Sequence, residues 1–370
     1  MRNRELDALR GLAAISVLLY HVLALNWPPL QNGVYLQPAD RTIHNILIFT
    51  PIHVAWLGME AVWFFFVLSG FVLTKAATRE GFAWQAYYPS RMVRIYGPVL
   101  CAILFAWLTY VLIPHVVEPG DNPAIGTLPT GYPFADILRD ATLLGGTSTS
   151  IGVLWSLQWE IVFSLALPLY IFAVRRLPKV ATAIAVGACI LGWLVNDQVT
   201  MYMPMFFFGA LLAQYWAQIC AAFRFLGTGG WTAHTAGIAL TLVAVCGMTS
   251  FFLLGRQFSA LGLPPRAATL PLVLGGIVLL TITSVNWPPL SRLLSTRAMV
   301  FLGTISFSLY LVHRPIIIAL GFLFGIGAVP AILGIVISVG IAVGFYFLLE
   351  RPIHRLSQRL NRSLQKSVPA

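Results

Sequence analysis

The first apolar segment reads Glu5-Leu-Asp-Ala-Leu-Arg10-Gly-Leu-Ala-Ala-Ile-Ser-Val-Leu-Leu-Tyr20-His21-Val-Leu-Ala-Leu25. A helix over this stretch rises about 1.5 Å per residue, enough to cross a hydrocarbon layer of about 30 Å. Arg10 and His21 then lie about 20° apart in rotation and about 16 Å apart along the axis. Ionisable groups are costly inside a membrane helix, so this pair is the first functional hypothesis.

The composition of the whole chain supports a membrane protein. Of its 370 residues, 58% are hydrophobic and 9% are charged, and the mean hydropathy is +0.83. This excess of apolar residues excludes a soluble domain and predicts a polytopic membrane protein in contact with the lipid bilayer. Membrane topology accounts for the net charge of +11, so we expect no nucleic-acid partner. No cleavage site follows the first segment, which predicts a retained helix.

Apolar runs long enough to span a membrane recur along the chain. They predict an all-α, polytopic helical bundle of about ten transmembrane helices in a single domain over residues 1–370. The runs fall near residues 7–25, 54–75, 96–117, 154–174, 180–195, 201–216, 235–254, 269–285, 299–318 and 328–349. We expect the aromatic segment 81–94, ahead of the third run, to lie in the membrane interface.

The distribution of Lys and Arg predicts the orientation of the bundle. With the N-terminus in the cytoplasm, 18 of the 23 Lys and Arg residues face the cytoplasm, which is the arrangement that membrane insertion favours. Both termini are therefore expected inside, with a basic cytoplasmic tail over residues 350–370. Two long outer loops, residues 26–53 and 118–153, are candidates for covering an outward-facing site. The second contains a short amphipathic helical pattern near residues 136–144.

His21 has two interpretations from the residues alone. It is either a general base that takes a proton from a hydroxyl group, or a polar side chain hydrogen-bonded to a neighbouring helix. A metal site on this helix needs a second ligand three or four residues away. Those positions hold Val17, Leu18, Ala24 and Leu25, so we predict no metal.

Further ionisable residues recur in or beside the apolar runs. Arg10 and the pair Arg91 and Arg94 are either cytoplasmic anchors or ligands for an anion, for which the planar guanidinium fork suits phosphate. Glu160, in the fourth run, either orients a histidine base or is paired for stability. His313, near the outer end of the ninth run, is either an interfacial residue or a second member of the site.

Six motifs in order resemble the membrane acyltransferase-3 family over nearly the whole chain. They are Leu6-Asp7-Ala8-Leu9-Arg10-Gly11-Leu12 with His21, Phe65-Phe66-Val67-Leu68-Ser69-Gly70-Phe71, Arg91-x-x-Arg94-Ile95-Tyr96, Trp155-Ser156-Leu157-x-x-Glu160, Ser306-Phe307-Ser308-Leu309-Tyr310-Leu311-x-His313-x-Pro315, and Glu350-Arg351-Pro352.

The resemblance implies an O-acyltransferase of the bacterial inner membrane. The implied donor is an acyl-CoA, usually acetyl-CoA, used as a co-substrate from the cytoplasm. The implied acceptor is a carbohydrate hydroxyl on a surface polysaccharide, such as exopolysaccharide or lipopolysaccharide, or on its lipid-linked precursor.

The resemblance also assigns roles to residues. His21 is the general base, supported by Glu160 or His313. We assign Arg10, Arg91, Arg94 and Ser69 to the acyl-CoA site, although the dipeptide Ser69-Gly70 by itself predicts close helix packing. The acceptor, the acyl length and the oligomeric state stay open.

Two other functions fit a bundle with intramembrane ionisable groups. A transporter or flippase of a lipid-linked sugar or acyl group would also have a central polar cavity, but transporters often show two related halves with broken helices. The sequence shows no such internal symmetry. A non-catalytic assembly subunit would leave the intramembrane His and Glu without a purpose.

Overall fold

The computed structural model describes residues 3–366, which are helical throughout with connecting turns and no strand. The membrane-scale helices, and the amphipathic helix that follows them, are numbered here in chain order. They are α1 Arg4–Asn26, α2 Met59–Ala77, α3 Trp84–Leu112, α4 Trp155–Arg176, α5 Pro178–Val195, α6 Gln198–Gln214, α7 Trp231–Met248, α8 Pro265–Asn286, α9 Arg297–Phe324, α10 Ala328–Phe345 and α11 Arg351–Lys366.

The prediction of about ten transmembrane helices is confirmed. Within the described residues, nine helices are long and apolar enough to cross a membrane. A tenth span is obtained if α6 and the short helix Trp216–Ala222, which bends away from it by 67°, are counted together. This bent pair corresponds to the sixth apolar run, which is short for a bilayer. The cytoplasmic placement of both termini stays a prediction.

The structure moves two of the predicted boundaries. The third run was expected to begin at residue 96, but α3 begins at Trp84 and is continuous to Leu112 despite two internal prolines. The aromatic segment 81–94 is therefore mostly the start of this helix, and its position in the membrane interface stays a prediction. The second run was expected from residue 54, but Pro51–Trp56 form a 3₁₀ helix and α2 starts at Met59.

Shorter helices occupy the connections between the spans. The first predicted outer loop contains helices Pro28–Val34 and Thr42–Ile48, and the second contains Phe134–Thr142, where the amphipathic pattern was noted. The predicted basic tail forms α11, and its last residues, 367–370, lie outside the described range.

The chain divides into two compact units. Unit 1 contains the chain up to Val17 together with Pro29–Arg79 and Ala166–Thr304, and unit 2 contains Leu18–Pro28, Glu80–Leu165 and the chain from Ile305. The division falls inside α1, α4 and α9.

In unit 1, glycines bring α2 and α6 into backbone contact. A Cβ atom on Gly70 would lie 2.1 Å from the Phe206 carbonyl oxygen, and one on Gly209 would lie 1.8 Å from the Val67 carbonyl oxygen. Real side chains do not approach so closely, so both positions require glycine. The close packing predicted from Ser69-Gly70 is present here.

In unit 2, α11 packs against α3. The Ser357 hydroxyl donates a hydrogen bond to the Ser90 carbonyl over 2.6 Å, and a Cβ atom on Gly97 would lie 2.6 Å from an Ile353 methyl carbon. A π-helical turn, Tyr346–Glu350, joins α10 to α11. At its end, the Glu350 carboxylate accepts hydrogen bonds from both the backbone N–H and the hydroxyl of one serine of α9, Ser308.

Candidate active site

Two of the predicted catalytic residues meet in unit 2. His21, on α1, places its Nδ1 atom 3.3 Å from Nε2 of His313, on α9. The ring centroids are 5.1 Å apart. His313 is completely buried, whereas His21 is partly exposed. The pair therefore has one enclosed member and one that other molecules can approach.

The hydrogen bonds of His313 fix which nitrogens carry protons. Its Nδ1 lies 2.9 Å from the Leu309 carbonyl oxygen, and because a carbonyl only accepts, this nitrogen carries the hydrogen. In the neutral ring, Nε2 is then an acceptor, so His21 donates to it from Nδ1. In a neutral His21 ring, Nε2 is then the nitrogen with the lone pair that a general base needs.

A hydroxyl pair holds α9 next to the start of α4. The Tyr310 and Ser156 hydroxyl oxygens are 2.7 Å apart, and the Val153 carbonyl oxygen lies 3.0 Å from the first and 3.2 Å from the second. The Tyr310 ring also lies 6.0 Å from the His313 ring, centroid to centroid. Sequence reasoning missed the positioning role of Tyr310 and Ser156, although Tyr310 and His313 are spaced to share one helix face.

Glu160, the third predicted catalytic residue, forms an ion pair with Arg91. The Arg91 guanidinium donates from Nη2 to the Glu160 carboxylate and from Nε to the Ser164 hydroxyl over 3.2 Å. The side chain of Arg91 is 11% exposed and that of Glu160 is 24% exposed. The structure thus joins one predicted catalytic residue to one predicted donor-binding residue.

A proline explains a second contact between α3 and α4. Pro168 has no N–H to donate to the carbonyl four residues earlier, that of Ser164. The hydroxyl of Tyr87 donates to this carbonyl instead, over 3.3 Å. The Arg91–Glu160 pair therefore lies beside a helix turn that is completed by a neighbouring side chain.

Three further predicted donor-binding residues lie on α1, α2 and α3. Arg94 is exposed on α3, about one turn beyond Arg91. Arg10 is partly exposed in the unit 1 part of α1 and precedes Gly11, whose Cβ position would lie 2.5 Å from the backbone nitrogen of Gly303. Ser69 is partly exposed and precedes the glycine that contacts α6.

The fold and this site define a polytopic membrane protein with acid–base groups held between its helices. A family model described as an acyltransferase domain, that of the acyltransferase-3 family, matches residues 3–351. The chain belongs to this family, as the six motifs indicated.

One curated relative is the protein named acyltransferase MdmB of Streptomyces mycarofaciens. It is 29% identical over 178 residues, which cover 48% of this chain and 41% of that protein. The match therefore spans less than half the length of the relative. No solved structure matches this chain.

Proposed function

We propose that this membrane acyltransferase moves an acetyl group from acetyl-CoA to a hydroxyl of a surface polysaccharide or of its lipid-linked precursor. The cytoplasm supplies the donor, and the bacterial inner membrane is the proposed location. The observation that carries the proposal is the His21–His313 contact, because it holds a partly exposed imidazole in a fixed position against a buried one. The family membership favours acyl transfer over the transporter alternative.

The proposed reaction begins with proton removal from the acceptor. Nε2 of His21 takes the hydroxyl proton as the acceptor oxygen attacks the thioester carbonyl carbon. The resulting tetrahedral intermediate collapses, the carbon–sulfur bond breaks, and CoA leaves as a thiolate that recovers the proton from His21. The ester forms, free CoA is released and the histidine returns to its starting state.

His313 would stabilise the charged state of His21 in this sequence. When His21 becomes an imidazolium, its Nδ1–H is a charged donor, and a hydrogen bond from a charged group is stronger than one between neutral groups. The Nε2 acceptor of His313 is already oriented by its bond to the Leu309 carbonyl. His313 is therefore proposed as a positioning residue, and His21 as the catalytic base.

For the donor, we propose that Arg91 and Arg94 bind the phosphates of CoA. Arg94 is exposed and lies about one helical turn beyond Arg91. Arg91 is oriented by Glu160 and Ser164, which leaves it part of its fork for an anion. Arg10 and Ser69 keep the donor-binding roles predicted from the sequence.

The test measures transfer of radiolabelled acetyl from acetyl-CoA to surface glycans in membranes that contain the full chain. We expect His21→Ala to lower turnover by about 10²- to 10⁴-fold, the usual contribution of a general base. His234→Ala, which changes a partly exposed histidine of α7 in unit 1, is the matched control and should keep wild-type turnover.

Two results would contradict the proposal. Wild-type turnover in the His21→Ala protein would exclude it as the base. Equal O-acetyl content of surface glycans with and without the protein would exclude a surface-glycan acceptor. Protection of the purified protein against thermal unfolding by CoA tests the donor independently of any acceptor.

A further inference from the structure

Arg314 lies inside α9, one of the candidate membrane spans, directly after His313. Its side chain is half-buried. Within residues 3–366, it makes no hydrogen bond and no ion pair, and its Nε atom is buried without an acceptor. By contrast, Arg91 and Arg266 are each paired with a glutamate.

The groups that interact with the charge of Arg314 are polar and uncharged. They are the phenol groups of Tyr110, Tyr20 and Tyr310. Two of these use their hydroxyl hydrogens elsewhere: Tyr110 donates to the Ser150 carbonyl over 2.9 Å, and Tyr310 lies 3.0 Å from the Val153 carbonyl. None of the carboxylates in the described part of the chain forms an ion pair with this guanidinium.

The loop that leads into α4 packs closely against the Arg314 side chain. Gly152 has a φ of +68°, and a Cβ atom there would lie 2.4 Å from Nε of Arg314 and 2.8 Å from its Cζ atom. Only glycine combines this backbone conformation with that contact. Because the two tyrosine contacts fix the loop on either side of Gly152, the guanidinium lies against a fixed backbone wall.

Asp140, an acidic residue between α3 and α4, already accepts several hydrogen bonds. Asp140 is fully buried and accepts hydrogen bonds from the Tyr132 hydroxyl over 2.7 Å, the Ser148 N–H over 2.6 Å and the Ser148 hydroxyl over 2.7 Å. Its lone pairs are therefore directed at three local donors. The counter-charge for Arg314 is left to come from a bound molecule.

Burying part of an arginine side chain without a counter-charge costs free energy, and this cost indicates that a ligand supplies the partner. Arginine does not deprotonate in proteins, so it cannot lower the cost of burial by losing its charge. An enclosed, unpaired charge destabilises the fold unless a partner arrives. A carboxylate or phosphate of a ligand would supply both the charge and the acceptors.

We propose that Arg314 binds an anionic group, a carboxylate or a phosphate, on the acyl acceptor. The donor's phosphates are assigned elsewhere, because Arg91 and Tyr110 lie about 28 Å apart along α3, and Arg314 lies at the Tyr110 end. The acceptor class is thus an acidic glycan, such as one with uronic acid or phosphorylated sugars. This inference rests on the proposed function for its reference to an acceptor.

The first test needs no acyl transfer. Thermal unfolding of the purified full chain is followed while D-glucuronate, glucose 1-phosphate or D-glucose is added at matched ionic strength. We expect one or both anionic sugars to stabilise the wild type more than glucose does, and their comparison separates carboxylate from phosphate. Arg314→Gln should raise the apparent Kd of the preferred anionic sugar at least about tenfold, about 1.4 kcal/mol.

The matched control is Arg139→Gln. Arg139 is an exposed arginine of the same unit that is paired with Asp136 on its own helix, and its loss should leave the preference for the anionic sugar unchanged. Arg314→Lys keeps the charge without the planar fork, and it should retain part of the preference.

A second readout uses the unliganded protein. Removing an uncompensated charge should leave the unfolding temperature of Arg314→Gln equal to or above that of the wild type. Arg266→Gln, which breaks an existing ion pair, should lower it.

Three results would overturn the proposal. They are an equal response of the wild type to charged and neutral sugars, an unchanged anionic preference in Arg314→Gln, and a fall in unfolding temperature in Arg314→Gln as large as that in Arg266→Gln. A chain that prefers anionic sugars but gains no protection from acetyl-CoA would contradict the proposed function and leave this site standing.

Discussion

Replacement of His313 by Phe separates the base from the residue that supports it. The substitution keeps a flat ring in a completely buried position but removes the acceptor that lies 3.3 Å from Nδ1 of His21. His21 keeps its own imidazole, so the chemistry of proton removal remains possible. What is lost is the stabilisation of the imidazolium that forms during the reaction.

The size of the effect follows from the change in charge of one hydrogen bond. A hydrogen bond between neutral groups contributes about 0.5–1.5 kcal/mol, and one to a charged group contributes about 1.5–3 kcal/mol. The difference, about 1–1.5 kcal/mol, appears only when His21 has gained its proton. We therefore expect kcat to fall about 5- to 15-fold in His313→Phe, with little change in the KM for acetyl-CoA.

The assay is acetyl transfer from radiolabelled acetyl-CoA in membranes, with His21→Ala measured in parallel. The turnover of His21→Ala should be about 10²- to 10⁴-fold below that of the wild type, which is a clearly greater loss than in His313→Phe. His313→Gln, which offers an amide oxygen as acceptor, should recover part of the loss. A greater loss in His313→Phe than in His21→Ala would refute the reasoning and make His313 the base.

Three further predictions concern stability, measured by thermal unfolding of the purified protein. Burial lowers the pKa of His53 to about 3, and the nearby Arg266 acts in the same direction. Because the fold favours the neutral form, this contribution to stability is complete above pH 6.5 and decreases below it, by about 3 kcal/mol at about pH 4.5. His53→Phe should flatten this acid dependence. Glu60→Gln leaves Arg266 without its carboxylate and should cost about 3 kcal/mol, most of which the added change Arg266→Met should restore. Gly70→Ala forces α2 and α6 apart and should cost about 1–3 kcal/mol, whereas Gly340→Ala, with no neighbouring atom within 4 Å, should not destabilise. Each argument would be contradicted by one result. These results are an acid dependence of stability that is unchanged in His53→Phe, an unchanged stability in Glu60→Gln, and equal stabilities of Gly70→Ala and Gly340→Ala.

The sequence predicts the spanning helices well because their formation is a local matter. A long apolar run must satisfy its own backbone hydrogen bonds in lipid, so length and hydropathy are enough to predict a helix. The boundary of α3 was less predictable, since Arg91 and Arg94 look like the end of a membrane segment. Their polar contacts, including that of Arg91 to Glu160, allow the helix to begin earlier, at Trp84.

Contacts between distant segments explain what the sequence did not predict. His21 and Glu160 were both recognised as costly inside a membrane, but their partners depend on how helices pack. Arg314 was missed because an arginine near a helix end looks like a simple interfacial charge. Only the packed structure shows that Arg314 lies against Gly152 and beside three tyrosines, with no ion pair among residues 3–366.

The π turn between α10 and α11 determines how α11 is rotated about its own axis. Such a turn is equivalent to one residue inserted into an α-helix. If residues 346–350 were wound as a regular α-helix instead, α11 would be rotated by about 100° about its axis. Ser357 would then leave Ser90. The winding of this short segment, more than its composition, decides which side of the basic helix faces α3.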